Sequence, residues 1–330
     1  MTDVALLAGV SHQTVSRVLN AHPHVSPKTR LRVLDAMERL DYRPNSAART
    51  LATGRSRTLG LLISSGPSFA STSALRGVQA AVGTTGYGAI VMNLPTTSTE
   101  PLREGMKHLL RQGVDGVIVV APPLGSMRAV LDTAGRLPLV AVEAERQEGL
   151  SVVGADQVAV GRLATEHLLA AGHACVWHIT GRKESYEAAG RQLGWQQALS
   201  AVGIAAPPPL TGDGTSRSGY QAGHALVSTP GATAVFAGND RIALGLLRAL
   251  AEYGRRVPED VSIVGADDVP ESAYFSPPLS TVRQDFDEVG RQSVACVLAQ
   301  LGVGPPAADL FAVQPELVGR LSVYRRRASC

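Results

Sequence analysis

The sequence predicts an α/β protein with a small all-helical unit at its start. From Thr58 onwards, short continuous apolar runs alternate with amphipathic runs at helical spacing. That pattern is typical of parallel strands covered by helices on both faces. Before Thr58 the apolar residues recur at helical spacing instead. A chain of 330 residues, 45% of them hydrophobic, can bury the cores of two or three domains.

The first unit begins with two short helices joined at Gly9. Gly9 interrupts an apolar stretch, and Ser11 offers a side-chain oxygen to the open amides of the next helix. On that helix, apolar residues recur on one face, and residues that can donate hydrogen bonds lie on or near the other. The apolar residues are Val15, Val18 and Leu19, and the donors are His12, Gln13, Ser16, Arg17 and Asn20. This is typical of a helix-turn-helix whose second helix enters a DNA major groove, although an ordinary surface hairpin of helices has the same spacing.

A third helix and a short connector follow. Ser26 and Pro27 suit the cap and the first position of a helix whose apolar stripe lies within residues 31–40. The residue before Pro44 is disfavoured in helical geometry, so this unit ends there. Residues 46–53 suffice for two helical turns, which are marginal in isolation.

Basic residues are concentrated near the start of the chain. Residues 1–60 hold nine Arg or Lys and four Asp or Glu, whereas the remainder holds 22 and 24. The net charge of +3 for the whole chain conceals this asymmetry. A basic N-terminal segment can neutralise nucleic-acid phosphates even when the rest of the chain is nearly neutral.

The rest of the chain is predicted as strands and helices in alternation. The predicted strands are Leu59–Ile63, Ala89–Asn93, Gly116–Val120, Leu139–Val142, Cys175–Ile179, Ala234–Phe236 and Ser262–Val264. The predicted helices include Ser73–Thr85, Glu100–Leu110, Val158–Ala170, Ser185–Ala201 and Arg241–Tyr253. This stretch is too long for one parallel sheet.

Polar residues follow several of these strands. They are Ser64, Glu143, Asn239 and Asp267. Ligands of open parallel sheets bind outside the carboxyl ends of the strands, so these residues are candidate ligand contacts. Simpler roles remain open: Asn239 and Asp240 could cap a helix, and Asp268 could serve a turn before Pro270.

Several motifs resemble a known family. The runs DVALLAGVSHQTVSRVLN and HVSPKTRLRVLDAMERLDYRPNSAARTLATGRSRTLGLLI resemble the start of lac-repressor-type (LacI/GalR family) transcriptional regulators. The resemblance continues to about Tyr324, and its most specific parts are VSxxTVSRVLN, YRPN, GND and GADD. It implies a helix-turn-helix headpiece at 1–44, a hinge helix and linker at 45–57, and a two-lobed core at 58–330. That core would resemble a periplasmic sugar-binding protein with two parallel sheets, lobe 1 covering about 58–155 and 286–313 and lobe 2 about 156–282 and 314–325.

The resemblance assigns one set of residues to operator DNA. They are Ser11, His12, Gln13, Thr14, Ser16, Arg17, Asn20, His24, Ser26, Thr29, Asn45, Ala48 and Leu51. Ser26 and Thr29 resemble phosphate anchors. Leu51, with Ala48 as its small neighbour, resembles a leucine that wedges between minor-groove base pairs. From the residues alone, Ser26 and Thr29 could serve only as a cap and a loop residue, and Leu51 could belong to a linker or a core.

The resemblance also implies an effector site in the core. Matching positions assign sugar hydroxyls to Arg191, Asn239, Asp267 and Gln284, and a flat apolar wall to Phe286. Glu143 falls where the lac-repressor type has an Asp, which makes the pocket one methylene tighter there. Ser64 completes the predicted set. Arg191 could instead pair only with Glu187 on its own helix.

Motifs of other protein classes are missing from the sequence. It has no GxxxxGK[ST] loop, no GxGxxG at a strand end, no G-x-S-x-G elbow and no His/Cys metal spacing, so we expect no catalysis, no cofactor and no metal. The widely spaced Cys175, Cys296 and Cys330 indicate a reducing compartment. No signal peptide is recognised, and no apolar run approaches the roughly 20 residues of a membrane helix. We therefore expect a cytoplasmic protein without membrane contact.

The expected partners are double-stranded operator DNA, a sugar or sugar derivative as effector, and a second copy of the chain. Too few residues follow Tyr324 for a heptad helix, so we expect a dimer and no tetramer. By resemblance, the helix at Arg241–Tyr253 and the Tyr274-Phe275 pair would help to form the dimer contact. The main expectation is a repressor released by its effector. A ligand acting as co-repressor and a free-standing sugar-binding receptor remain the alternatives.

Overall fold

The computed structural model describes residues 1–19, 22–42, 50, 54–64, 68–94, 98–305 and 312–325. The chain divides into two units, Met1–Ser56 and Arg57–Cys330. Within the described ranges, no helix is both long enough and apolar enough to cross a membrane.

Three helices form the first unit. They are α1 (Thr2–Ala8), α2 (His12–Leu19) and α3 (Pro27–Arg39). Gly9 ends α1 with φ at 60°, a left-handed conformation that glycine adopts readily. Ser11 Oγ accepts the Thr14 N–H at 3.2 Å, and Ser26 Oγ accepts the Thr29 N–H at 3.2 Å, so each serine caps the helix that follows it. The three helices pack around Val4, Ala5, Ala8, Val15, Val18, Val33 and Ala36. The predicted helix-turn-helix is confirmed.

The second unit has two lobes, and lobe 1 is built on a six-stranded sheet. Its strands are β1 (Thr58–Ile63), β2 (Gly88–Asn93), β3 (Gly116–Val120), β4 (Leu139–Val142), β5 (Ser151–Ala155) and β10 (Ala312–Val313). Its helices are α4 (Phe69–Gly83), α5 (Thr99–Arg111), α6 (Met127–Ala134) and α11 (Phe286–Gln300). The strand order is β10-β5-β4-β3-β1-β2, and all pairs are parallel. Strands β3 and β4 are buried throughout, because apolar clusters lie on both faces of the sheet.

Lobe 2 is built on a smaller parallel sheet with the order β6-β7-β8. These strands are β6 (Trp177–Ile179), β7 (Ala234–Ala237) and β8 (Ser262–Val264). The helices are α7 (Gln157–Ala170), α8 (Tyr186–Ala201), α9 (Ser216–Val227) and α10 (Asp240–Glu252). An antiparallel pair, β9 (Thr281–Arg283) and β11 (Glu316–Val318), completes the lobe. The predicted α/β fold with two parallel sheets is confirmed.

The described chain passes between the lobes at three places: between β5 and α7, between β9 and α11, and between β10 and β11. Two of these crossings matter for the site. The first brings Gln157 to the start of α7, and the second lies around Gln284.

Several helices approach each other so closely that only glycine fits between them. A Cβ atom on Gly161 of α7 would collide with the backbone oxygen of Arg191 on α8, and one on Gly194 of α8 would collide with that of Val158 on α7. In lobe 1, Gly77 of α4 meets the backbone of α11 in the same way. These contacts hold the two helices of each pair in fixed register.

Candidate functional site

The carboxyl ends of both parallel sheets border the cleft between the lobes. Three residues near strand ends have positive φ without being glycine: Ala121 at 49° and Glu143 at 52° directly follow β3 and β4, and Asp267 at 104° lies three residues after β8. Such residues are uncommon, and they cluster at functional sites where the surrounding structure holds the strained backbone in place.

A cavity of about 330 Å³ lies at these strand ends. Lobe 1 lines it with Ser64, Ser68, Phe69, Ala70, Ala121, Pro122 and Pro123. Lobe 2 lines it with Gly181, Arg182, Glu184, Ser185, Glu187, Ala188, Arg191, Asp213, Gly214, Thr215, Gly238, Asn239, Arg241 and Asp267. The two walls differ in chemistry, because every charged residue of the lining belongs to lobe 2. A bound molecule would meet hydrogen-bonding groups on one side and mainly apolar groups on the other.

A buried ion pair forms the polar centre of the lobe 2 wall. Arg191 Nη2 lies 2.7 Å from Asp267 Oδ1, and the two residues are only 4% and 6% exposed. Arg191 also donates from Nη1 to the Gly238 carbonyl at 2.6 Å and from Nε to Gln157 Oε1 at 2.9 Å. The alternative pairing of Arg191 with Glu187 on its own helix is therefore wrong. Its partner comes from the neighbouring strand end.

Four predicted effector residues line the cavity: Ser64, Arg191, Asn239 and Asp267. Two of them also hold the local backbone. Ser64 Oγ donates to the Ala121 carbonyl at 2.9 Å. Asn239 Oδ1 accepts the Ile242 N–H at 2.8 Å and so caps α10, while its Nδ2 donates to the Gly214 carbonyl at 3.1 Å.

Two further predicted residues, Glu143 and Gln284, lie behind the cavity wall. Gln284 Nε2 donates to Asp267 Oδ1 at 2.9 Å, so it supports the ion pair from the second crossing. Glu143 is fully buried, and its carboxylate accepts the Ala155 N–H at 2.7 Å and Gln157 Nε2 at 2.9 Å. Neither side chain belongs to the cavity lining.

Phe286 requires a correction. It is the first residue of α11, is 6% exposed, and packs edge-on against Phe69 with ring centroids 6.3 Å apart. This position places Phe286 in the core of lobe 1, and Phe69 lies on the cavity wall instead. Of these two rings, Phe69 is the one that lines the cavity, whereas the resemblance implied Phe286.

Two acidic residues near the site also differ from their simplest predicted roles. Asp240 does not cap α10, because it is the first residue of the helix and is fully buried. Its carboxylate accepts Val269 N–H, Ser272 Oγ and Thr281 Oγ1. Asp268 forms ion pairs with Arg283 and Arg320. It therefore does more than serve a turn before Pro270.

Two buried carboxyl groups surround the ion pair. Burial raises the pKa of Glu143 to about 7, helped by the nearby charge of Glu187, although hydrogen bonds from Ala155 and Gln157 act in the opposite direction. Burial also raises the pKa of Asp240 to about 7, and the Asp267 carboxylate adds to this effect. Burial therefore favours the neutral form of both carboxyl groups.

Sequence reasoning missed two residues of this site, Gln157 and Phe69. Gln157 is 1% exposed and contacts Glu143, Arg191 and Gln284. Its position directly after a predicted crossing is the one signal that could have found it. No pattern in the sequence singled out Phe69.

The start and the outer face of α2 present several of the predicted DNA contacts to solvent. Ser11, His12, Gln13 and Arg17 are exposed, and Thr14 and Ser16 are half-buried. Val15 and Val18 face the core of the unit, as their spacing predicted. On the following turn and α3, His24 and Ser26 are exposed and Thr29 is half-buried. Asn20, Asn45, Ala48 and Leu51 lie outside the described residues.

In the part of the chain that the structure describes, no three His, Cys, Asp or Glu side chains are grouped so that they could hold a metal ion. The carboxylate of Asp267 pairs instead with Arg191, and those of Glu143 and Asp240 accept hydrogen bonds from uncharged amide and hydroxyl groups.

A helix-turn-helix with a polar outer face, followed by a two-lobed core with a polar cavity, defines a ligand-responsive DNA-binding regulator. The model "Bacterial regulatory proteins, lacI family" matches residues 1–45, and the model "Periplasmic binding protein-like domain" matches residues 165–323. The chain belongs to the lacI family of bacterial regulatory proteins.

Individual relatives extend this similarity over the whole chain. The lactose operon repressor of Escherichia coli (strain K12) is 34% identical over 92% of this chain and 84% of its own length. The HTH-type transcriptional repressor PurR of Aliivibrio fischeri (strain MJ11) is 33% identical, with 98% of both chains covered. The lac repressor dimer bound to operator and the anti-inducer ONPF superimposes with a TM-score of 0.88 at 32% identity, covering 98% of both chains. The complex of the transcriptional regulator CelR with cellobiose gives 0.71 at 32% identity, covering 97% and 98%.

Proposed function

We propose that this chain is a dimeric, cytoplasmic transcriptional repressor whose operator affinity is lowered by a sugar-like effector bound in the interlobe cavity. The observation that carries this proposal is the Arg191–Asp267 pair on the cavity wall. A guanidinium has five N–H donors. Three nitrogen atoms of Arg191 each make one contact with the protein, which leaves two N–H groups for a ligand. Among the described residues, Asp267 Oδ2 has no hydrogen-bond donor, so it can accept from a ligand hydroxyl.

The lining of the cavity favours a neutral polyol with one apolar face. Paired donors and acceptors such as those of Arg191 and Asp267 suit neighbouring hydroxyl groups. Phe69 and the alanine and proline residues of lobe 1 suit the flat C–H face of a sugar ring. The CelR neighbour binds cellobiose, which is a molecule of this kind. For this chain we propose Ser64, Arg191, Asn239 and Asp267 as direct contacts, with Gln284 and Glu143 supporting them.

The domain roles follow the predicted division. Residues 1–44 would bind operator half-sites, 45–57 would connect them to the core, and the lobes of 58–330 would close on the effector. Closure changes the spacing of the two attached hinges in a dimer. Coupling between separate sites is typically worth about 1–3 kcal/mol and is reciprocal. A ligand acting as co-repressor would use the same geometry with the opposite sign. The relatives are repressors, and the absence of catalysis remains a prediction for this chain.

The DNA half of the proposal is tested by selecting an operator from random duplexes with the full-length protein. We expect a pseudo-palindrome, with Arg17 reading guanine and Gln13 reading adenine in the major groove. Each such contact discriminates by about 1–3 kcal/mol, so Arg17→Ala should abolish specific footprints and leave weak, salt-sensitive binding. Arg103→Ala, which removes an arginine paired with Glu100 on α5 of the core, serves as the control. An Arg17→Ala protein that footprints the same site with unchanged affinity would show that α2 does not read the operator.

The effector half is tested by adding a panel of neutral pentoses, hexoses and disaccharides to the protein–operator complex. At least one sugar should release the complex, as measured by fluorescence anisotropy. A sugar that tightens the complex would establish the co-repressor alternative. Sugar binding by a protein that selects no DNA would instead favour a free-standing receptor.

A further inference from the structure

A chain of buried hydrogen bonds runs from lobe 1 to the ion pair in lobe 2, with Gln157 at its centre. Gln157 Nε2 donates to Glu143 Oε2 at 2.9 Å and to Gln284 Oε1 at 2.8 Å. Gln157 Oε1 accepts from Arg191 Nε at 2.9 Å. Both amide hydrogens and the oxygen are therefore used, and the side chain is 1% exposed.

The partners of Gln157 belong to different parts of the core. Glu143 follows β4, and its carboxylate also accepts the N–H of Ala155, the last residue of β5, so it is fixed to lobe 1. Arg191 lies on α8 of lobe 2. Gln284 lies at the second crossing and also contacts Asp267. Gln157 thus joins lobe 1, lobe 2 and a crossing through a single side chain.

Close helix packing fixes Gln157 to lobe 2. A Cβ atom on Gly190 of α8 would lie 2.6 Å from Gln157 Cβ, and the glycine contacts at Gly161 and Gly194 bring the backbones of α7 and α8 together. The start of α7 therefore cannot shift independently of Arg191. Rotation of lobe 2 against lobe 1 would strain the Glu143–Gln157 hydrogen bond, because that bond joins groups fixed to different lobes.

We propose that Gln157 is a positioning residue that links the Arg191–Asp267 pair to the relative arrangement of the two lobes. A ligand that moves the guanidinium would disturb Gln157, and Gln157 would transmit this change to Glu143 and Gln284. This inference rests on the proposed function, in which the ligand-free arrangement of the lobes is the one that binds operator. The Glu143–Gln157 hydrogen bond would then favour operator binding.

The test measures operator affinity without any ligand, using the full-length protein and its selected duplex. Gln157→Met keeps the length of the side chain and removes its hydrogen bonds. We expect operator binding to weaken at least about fivefold, the lower end of typical coupling between sites. Gln300→Met is the matched control, because Gln300 hydrogen-bonds within lobe 1, to both backbone groups of Leu139 and to Ser151 Oγ. It should lower the Tm without changing operator affinity.

Exchanging the side chains of Gln157 and Glu143 distinguishes a link between the lobes from a simple effect on stability. Gln157→Glu places two carboxyl groups against each other and should weaken operator binding. The double variant Glu143→Gln with Gln157→Glu restores an amide donor facing a carboxylate and should recover most of the affinity. This exchange also decides the question if Gln157→Met does not fold.

The outcomes are distinguishable from a failure of the proposed function, which would appear as wild-type protein that selects no DNA. If wild type binds and a folded Gln157→Met binds equally well, with only its Tm lowered, Gln157 has a structural role and the inference is wrong. Tighter binding by Gln157→Met, or equal binding by the Gln157→Glu and exchanged variants, would also overturn it.

Discussion

The substitution Asp267→Asn tests the centre of the proposed effector site. It keeps the shape of the side chain and removes its charge. Asp267 Oδ1 accepts hydrogen bonds from Arg191 Nη2 at 2.7 Å and from Gln284 Nε2 at 2.9 Å, and the asparagine oxygen can accept both. The backbone adds no further penalty, because asparagine tolerates positive φ as aspartate does, and φ here is 104°.

The magnitude follows from the change in hydrogen-bond type. A hydrogen bond to a charged group contributes about 1.5–3 kcal/mol and one between neutral groups about 0.5–1.5 kcal/mol, so the loss should be about 1–2 kcal/mol. Deleting one partner of a buried ion pair, as in Asp267→Ala, would cost about 3–5 kcal/mol. A ligand hydroxyl that donates to Oδ2 loses a charged acceptor by the same reasoning. Effector affinity should therefore fall about 5- to 30-fold.

Asp268→Asn is the matched control. The neighbouring Asp268 also has positive φ and a side chain that is only 8% exposed, but it pairs with Arg283 and Arg320 and does not line the cavity. Calorimetry should show weaker binding of the active panel sugar in Asp267→Asn and unchanged binding in Asp268→Asn, with the Tm lowered in both. Operator affinity without sugar should barely change in Asp267→Asn, giving a repressor that stays on DNA when sugar is added. Equal sugar affinity in Asp267→Asn and wild type would remove Asp267 from the site.

Three further predictions concern packing, pH and assembly. Gly77→Ala should destabilise the core by about 1–3 kcal/mol, because the new methyl group meets the backbone of α11. Gly83→Ala on the same helix meets nothing within 4 Å and should stabilise the core by up to about 1 kcal/mol. Thermal melting compares the two variants, and equal shifts in Tm would contradict the close contact at Gly77. Because the pKa of Glu143 is raised to about 7, its contribution to stability is present at low pH and lost as pH rises through 7. The Tm should therefore fall between about pH 4.5 and 7, and less steeply in Glu143→Gln, where the raised pKa of Asp240 still contributes; an unchanged slope would mean that the pKa of Glu143 is not raised. Leu244 is 43% exposed on α10, and we expect it in the dimer contact. Leu244→Asp should therefore convert the dimer to a monomer, which light scattering would detect as a halved mass. An unchanged mass would place the dimer contact elsewhere.

The sequence predicted the sheets because their central strands are continuous apolar runs. Strands β3 and β4 are buried on both faces, and that burial leaves a visible pattern. Strands β5 and β9 were not predicted. Their sequences, SVVGA and TVR, contain too few consecutive apolar residues to stand out, and β9 pairs with the distant β11.

The candidate site was predictable as far as it follows from strand ends. Ser64, Asn239 and Asp267 were found because each lies within three residues of the end of an apolar strand, and the structure places all three on the cavity wall. Whether a side chain lies in the core or on the cavity wall was not predictable in this way. Phe286 and Phe69 come from different helices and pack on each other, and only the packing of α4 against α11 decides which ring lines the cavity.

The hydrogen bonds that Arg191 already makes would allow the proposed effector site both to bind a ligand and to transmit that binding to the lobes. Three protein contacts hold the guanidinium in place, so a ligand does not have to immobilise a long side chain, which would otherwise cost about 0.5–1.5 kcal/mol. A ligand shifts the arrangement of the lobes only if it interacts differently with the two arrangements. Among the described residues, Gln157 and Gln284 are the side chains that lead from the ion pair to the lobe crossings. Coupling from the side chains of the ion pair through other side chains would therefore pass through these two glutamines, and neither of them lines the cavity.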